Sequence, residues 1–209
     1  IAYGDDGTDL EAPAAMISFE VDGTPGTGDM PGRMIFATTT DGGEALAERM
    51  RINAAGAAFI GDTANAGVTA GSLTINQGAN DDEALALKSS DAGHPLTNSA
   101  EADTFGKFTK ASGGNGGLLV WGISDSGSDA CDFYALSGTT FSTAKTSSAP
   151  AGYVFYTGIR DSSTANVTNP GADQNLVAIW SGNDTCRFIF DQEGSAHAEV
   201  EWVAFDDHD

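Results

Sequence analysis

The sequence predicts an all-β protein built from antiparallel β-hairpins, with a β-sandwich-like module, and its composition and turn spacing carry that prediction. The chain has 27 glycines but only 6 prolines among 209 residues. Short apolar runs alternate with turns rich in Gly, Asp, Ser and Thr, which is the pattern of sandwiches and barrels. No alternation of strands with helices is present, which argues against a doubly wound fold.

The first half of the chain contains four predicted strands. Residues 17–21 alternate apolar and polar side chains, as a half-buried strand does. Residues 22–32 hold four glycines and two prolines and must form a loop. Strands are predicted at 33–40, 49–53 and 57–60, with 44–48 as a turn or a single helical turn. The organisation expected is a shaft-like region at 1–62, a linker at 63–71 that lacks any large side chain, and a hairpin or sandwich module at 72–209.

The second half is predicted to be a run of hairpins. One is expected to join 72–76 to 84–88, and another to join 105–110 to 117–123. Further strands are expected at five places: 130–136, 153–160, 176–180, 187–190 and 198–203. Several of these runs, including 118–121 and 177–180, are apolar on both faces. Since no helices are expected to cover the second face, neighbouring copies of the chain are the natural cover, and the sequence predicts an oligomer.

One short pattern occurs twice. In each occurrence an Arg begins an apolar strand, an Asn or Asp ends it, and a Gly follows three residues later. The members are Asn53 with Gly56, and Asp191 with Gly194. The physical interpretation is a structural hairpin turn that starts with an Asx side chain and ends at a glycine of positive φ.

The chain is strongly acidic, and this excludes some partners. It has 9 Lys and Arg against 30 Asp and Glu, a formal net charge of −21. Phosphate backbones and anionic membranes should repel it, so neither nucleic-acid binding nor membrane insertion is expected. Cys131 and Cys186 are too few for a disulfide scaffold and have no metal-ligand spacing. Two small buried thiols are expected.

Residues 22–42 include the run Asp29-Met30-Pro31-Gly32-Arg33 and end in Thr-Thr-Thr-Asp-Gly, and Glu48-Arg49-Met50-Arg51-Ile52 follows. This combination resembles a recurring segment of bacteriophage tail-fibre and tail-spike-like proteins. The similarity covers about residues 15–62. It departs at 57–61, which read Ala-Ala-Phe-Ile-Gly where the family more often has Asn-Val-Gly-Ile-Gly.

The resemblance implies an elongated, all-β homotrimer that is part of a virion appendage and is used in host attachment. Its partners would be its own copies, other virion proteins and a host surface carbohydrate or protein. A chain that starts at Ile1 is expected to be a piece of a longer polypeptide. The alternatives are a capsid decoration or head fibre, another extracellular filament subunit, and a tail-spike polysaccharide depolymerase.

The residues offer little for catalysis, so a non-enzymatic role is expected. There is no G-x-S-x-G motif, and His94, His197 and His208 have no partners at a telling spacing. The acidic clusters are interpreted as solvated turns, and no metal or cofactor is expected. Among the aromatic residues, Tyr134 and Tyr156 are the candidates for receptor contact, because a phenol oxygen tolerates a wet edge.

Overall fold

The computed structural model describes residues 1–4, 7, 11–68, 70–125, 129–146, 149–182 and 185–199. Over these residues the chain forms β-strands, turns and irregular segments, and it has no helix. All strand pairs except one are antiparallel. The all-β prediction is therefore confirmed.

The N-terminal part is a six-stranded sheet in which each strand pairs with its neighbour in sequence. Its strands are β1 (Ala2–Gly4), β2 (Ala12–Val21), β3 (Gly32–Thr39), β4 (Leu46–Ile52), β5 (Ala58–Ile60) and β6 (Leu73–Ile75). The predicted turn at 44–48 is shorter than expected, because β4 already begins at Leu46. Pairing of Glu48 with Ala37 overrides the helix-forming tendency of this stretch.

The middle of the chain forms a three-stranded antiparallel sheet of β7 (Leu85–Lys88), β8 (Thr104–Ser112) and β9 (Gly116–Gly122). The predicted hairpin between 105–110 and 117–123 is present as β8 and β9. The predicted hairpin between 72–76 and 84–88 is wrong. β6 instead pairs in parallel with β5, and β7 pairs with β8.

The C-terminal part contains two smaller sheets. One joins β10 (Ile159–Arg160) to β11 (Val167–Thr168), and the other joins β12 (Asn175–Ser181), β13 (Thr185–Asp191) and β14 (Ala196–Ala198). The predicted strands at 130–136 and 153–158 are wrong, because the chain is irregular there. These runs have strand-forming side chains but no partner strand to pair with. Residues 200–203 of the last predicted strand lie outside the described residues.

The buried core of the single chain is small. Its buried apolar residues are Ile35, Ala37, Ala57, Phe59 and Ala100. The chain divides into two compact units, residues Ile1–Asp132 and Phe133–Asp209. The predicted linker at 63–71 joins β5 to β6, which are paired strands of one sheet. The boundary between the two compact units lies instead after Asp132. The shaft-and-module division concerns the assembled protein and stays a prediction.

Candidate functional site

The first long loop is held by a cluster of charged side chains at the end of β2 and β3. Glu20 and Arg33 are direct cross-strand partners. The Arg33 guanidinium donates to Glu20 Oε2 through Nη2 at 2.7 Å and through Nε at 3.2 Å. Its Nη1 donates to Asp22 Oδ1 at 3.2 Å. One arginine therefore joins Glu20, near the end of β2, to Asp22, the first residue of the loop.

The same cluster reaches the next turn of the sheet. The backbone amide of Ala54 donates to Asp22 Oδ2 at 2.8 Å. On β4, Arg51 binds Glu48 through two nitrogens, Nε at 2.5 Å and Nη2 at 2.6 Å. The motif residues that carry the resemblance are thus structural partners of one another.

The cluster shifts the pKa values of its members. Hydrogen bonds from Arg33 and Ser18 hold the pKa of Glu20 below its ordinary value. The amide of Ala54, followed by Arg33, lowers the pKa of Asp22. The Glu20 carboxylate in turn raises the pKa of Arg33. All three groups are charged near neutral pH, and the cluster is a structural ion network.

The two predicted Asx turns have the same geometry. Gly56 has a φ of 78° and Gly194 a φ of 85°, the positive values that the pattern predicts. Asn53 Oδ1 accepts from the amide of Ala57 at 2.8 Å. Asp191 Oδ1 accepts from the amide of Ser195, also at 2.8 Å. Each side chain therefore satisfies the amide four residues ahead and closes its turn.

The match between the two regions extends well beyond the turns. In both regions, the arginine that starts the pattern is the extra residue of a β-bulge. Phe36 and Ala37 pair with Met50 and Glu48, which leaves Arg49 without a cross-strand partner. Ile179 and Trp180 pair with Phe188 and Cys186, which leaves Arg187 in the same position. Arg49 Nε donates to Thr38 Oγ1 at 3.0 Å, and Arg187 Nε donates to Ser181 Oγ at 3.0 Å. Each hydroxyl lies on the preceding strand.

The strand after each turn pairs in the same register as well. Met50 faces Ile60, and Phe188 faces Ala198. Strands β3, β4 and β5 therefore form one copy of a three-strand module, and β12, β13 and β14 form a second. The sequence pattern identified the turn of this module, whereas the bulge and the shared register were missed.

A large apolar surface remains exposed on the single chain. The accessible surface is 15,675 Å². A compact 21.3 kDa chain exposes about 9,000 Å², and division into two compact bodies raises that to only about 11,000 Å². Exposed large apolar side chains occur in both units of the chain, for example Phe19 in β2 and Trp180 in β12. A surface of this kind is typical of a chain that is covered by other chains.

The two candidate receptor-contact residues both lie on irregular segments of the second unit. Tyr134 is 77% exposed and Tyr156 is 80% exposed. The structure does not bring them together into a described contact or pocket. Among the tryptophans, Trp121 lies under the ammonium group of Lys107, 4.9 Å from the ring centroid. Trp202 lies outside the described residues.

The structure describes two of the three histidines and both cysteines, each in its own setting. His94 is buried, and its Nε2 lies 2.9 Å from the carbonyl oxygen of Thr104. His197 Nε2 lies 2.9 Å from Asp191 Oδ2, at the matched turn. His208 is outside the described residues. The expectation of two buried thiols is wrong for Cys131, which is exposed on an irregular segment.

The residues that the structure describes include no group of three or more His, Cys, Asp or Glu side chains placed to hold a metal ion. Over the same residues, no helix is long and apolar enough to cross a membrane. Comparison of the chain with known protein families, with curated protein sequences and with solved structures finds no match.

Proposed function

We propose that this chain is a structural and adhesive virion protein, a segment of a trimeric bacteriophage tail fibre used in host attachment. The observation that carries the proposal is the accessible surface of the single chain, which exceeds that of a compact protein by several thousand Å² and includes many exposed large apolar side chains. Burial of apolar surface stabilises an assembly by about 25 cal/mol per Å². A chain with this surface is stable in water as part of an oligomer.

Three copies, and a place on a virion, follow from the resemblance of residues 15–62. Its motif residues are also the ones that fasten the first sheet: Arg33 joins Glu20 to Asp22, and Asp22 binds Ala54. A fibre needs its loops held in place, because every unpaired strand edge and loose loop invites pairing with the wrong chain. The ion network and the two Asx turns supply that restraint.

The adhesive part of the function is assigned to the second unit. Tyr134 and Tyr156 are exposed there on segments without strand pairing. Exposed tyrosine rings stack on sugars and donate hydrogen bonds through their phenol groups. Weak binding at one such surface is multiplied when three copies present it together.

The test of the assembly is a mass measurement on the full chain. Light scattering coupled to size exclusion should give three times the 21.3 kDa of one chain. A mass near one chain in dilute native buffer would refute the proposal. Electron microscopy of labelled particles then separates a tail fibre from a capsid decoration, since an antibody against the chain marks the tail in one case and the head in the other.

The adhesive and enzymatic alternatives are separated with a panel of bacterial surface polysaccharides. The proposal predicts binding without release of oligosaccharides, and binding that weakens in Tyr134→Ala or Tyr156→Ala but not in Tyr3→Ala, a matched exposed tyrosine in the first sheet. Released oligosaccharides would identify a depolymerase instead.

A further inference from the structure

One face of the six-stranded sheet carries two rows of apolar residues that cross five strands. Its register places β2, β3, β4, β5 and β6 residues in rows across the sheet, because directly opposed residues of neighbouring strands project to the same side. One row is Ile17, Phe36, Met50, Ile60 and Ile75. A second row is Phe19, Met34, Ile52, Ala58 and Leu73. We call these two rows the apolar face.

The apolar face is open in the single chain. Phe19 is 75% exposed, Leu73 60% and Ile17 56%. A shallow groove follows one end of the face, where Met30 and Pro31 of the first loop stand beside Phe19. The charged side chain of Arg49 lies at the rim of the face, where its Nε donates to Thr38 Oγ1 at 3.0 Å.

The opposite face of the same sheet is covered by the chain itself. The row between the two apolar rows consists of Ser18, Ile35, Arg51, Phe59 and Thr74. Ile35 is buried, and Phe59 is only 2% exposed. The segment that crosses from β5 to β6 lies on this side, since Asn65 donates to Thr74 Oγ1 at 3.1 Å and Arg51 reaches the carbonyl of Thr63. One face therefore has its cover, whereas no described residue of the first unit covers the apolar face.

The second copy of the three-strand module has the same face. Its positions equivalent to Met34, Phe36, Met50, Ile52, Ala58 and Ile60 are again apolar: Val177, Ile179, Phe188, Phe190, Ala196 and Ala198. On the other side, the positions of Arg51 and Phe59 are taken by Ile189 and His197. All six positions of the apolar side are apolar in both modules, whereas the other side exchanges charged and aromatic residues for apolar and imidazole ones, which indicates that the apolar side has a function of its own.

We propose that the apolar face is the contact surface between copies of this chain, and that the second module uses its equivalent face for the same contact. The inference rests on the proposed homo-oligomer and names the surface that forms it. It commits to identical copies for two reasons. The same apolar face occurs in both modules of one chain, so identical copies can cover both with one kind of contact. The rows also contain no charged residue, so chains of net charge −21 can meet there while their acids stay in water.

The size of the face agrees with this assignment. With about 150–200 Å² for a free large apolar side chain, its exposed fractions amount to on the order of 700 Å² per copy. A standard stable interface takes about 800 Å² from each partner. The largest apolar patch of an ordinary monomer is about 300–600 Å².

The first test replaces Phe19 by aspartate in the full chain, with Thr24→Asp as control. Thr24 is exposed on the neighbouring loop and lies off the face. Phe19→Asp should raise the concentration of half-dissociation about 30-fold or more, the effect of losing a large anchoring side chain and burying a charge in its place. Thr24→Asp should leave it unchanged. Circular dichroism checks that both variants keep their strands.

The second test does not depend on a disruptive variant. In a Cys131→Ser, Cys186→Ser background, Phe19→Cys and Thr24→Cys are labelled with a maleimide. In an isolated chain both positions react freely, since both are exposed. In the assembly Phe19→Cys should react about tenfold or more slowly than Thr24→Cys, and it should become fast again on dilution below the dissociation point.

The outcomes separate this inference from the proposed function. An oligomer in which position 19 labels as fast as position 24, and in which Phe19→Asp does not promote dissociation, overturns the inference and leaves the oligomeric fibre standing. A wild-type chain that is monomeric at all concentrations overturns both. Slow labelling at position 19 in a dimer supports the contact surface and refutes the trimer.

Discussion

Asp22 and Ala54 are 32 residues apart in sequence, and a hydrogen bond of 2.8 Å joins the Ala54 amide to Asp22 Oδ2. The bond fastens the loop after β2 to the turn after β4. The other oxygen of the same carboxylate accepts from Arg33. A single aspartate therefore fixes the positions of three consecutive strands relative to one another.

Replacing Asp22 should measure the strength of this link. Asp22→Ala should lower the free energy of unfolding by about 1–2 kcal/mol, because both the Ala54 amide and Arg33 lose an acceptor. Asp22→Asn keeps one amide oxygen as acceptor and should lose less. Urea denaturation at fixed protein concentration gives both values. Equal losses for the two variants would show that the hydrogen bond from Ala54 contributes little.

Substitution of either matched glycine, Gly56 or Gly194, should destabilise the fold by a similar free energy. Gly56 and Gly194 have positive φ and open space at the position of a Cβ atom. Gly56→Val and Gly194→Val should each cost about 1 kcal/mol or more, because an L residue is strained in this conformation. Gly114→Val is the control, since Gly114 also has open space but no positive φ. A control that costs as much as the other two would contradict the argument from backbone strain.

Acid should destabilise the fold by protonating carboxylates that accept hydrogen bonds in the folded chain. The pKa of Asp22 and that of Asp191 are both held below the ordinary value of 3.8, for Asp191 chiefly by the hydrogen bond with His197. A carboxylate whose pKa is lower in the folded state than in the unfolded state stabilises the fold. This contribution is fully present above the unfolded-state pKa and is lost as the pH falls through the folded-state pKa. The melting temperature should stay level from neutral pH to about 5 and fall below about 4. Asp22→Asn should flatten that fall; a steeper fall in this variant would contradict the assignment.

The buried Lys107 of the middle sheet should contribute more to the free energy of unfolding than Lys110, whose partner is exposed. Lys107 Nζ donates to Glu83 Oε1 at 3.0 Å and lies over the Trp121 ring. Lys107→Ala should cost about 1–2 kcal/mol of unfolding free energy. Lys110, on the same strand, pairs with the exposed Asp81, and Lys110→Ala should cost less than about 1 kcal/mol. Reversed costs would show that burial does not set the strength of these pairs.

Limited proteolysis should test the division of the assembled protein. Cleavage within 63–71 is expected to release a C-terminal fragment that stays folded and trimeric. β6 is only three residues long and forms the edge of its sheet, so it can leave with the fragment. A fragment that unfolds or falls to monomers would show that the two parts share one core. Cleavage first at the junction of residues 132 and 133 would instead support the two units seen in the single chain.

Local sequence patterns predicted strands that pair with the next strand in the sequence. The alternation at 17–21 and the glycine-rich loop at 22–32 correspond to β2 and to the connection before β3. The pattern of Asn53 with Gly56 predicted the turn, because the φ that the turn needs and the amide it must satisfy are both set by adjacent residues.

Longer-range features could not be predicted in the same way. The parallel pairing of β6 with β5 depends on a crossover whose path no local pattern specifies. The bulge at Arg49 left a signal that was missed. Regular alternation back from Ile52 and Met50 would have put the charged Glu48 on the apolar side, and the bulge instead turns Glu48 to the side of its partner Ala37. Residues 130–136 have strand-forming side chains, and yet a strand exists only where another strand offers it hydrogen bonds.

Within each described sheet, strands pair with their neighbours in sequence, and this has a consequence for synthesis. Contacts that close over short stretches of chain form fast. Each hairpin can therefore be completed soon after its second strand leaves the ribosome, before the rest of the polypeptide exists. In the proposed assembly, meeting other copies is a concentration-dependent step that comes afterwards. Newly made chains would then pass through an interval with Ile17, Phe19 and Leu73 in contact with water, when a chaperone or a high local concentration of sister chains would decide between assembly and aggregation.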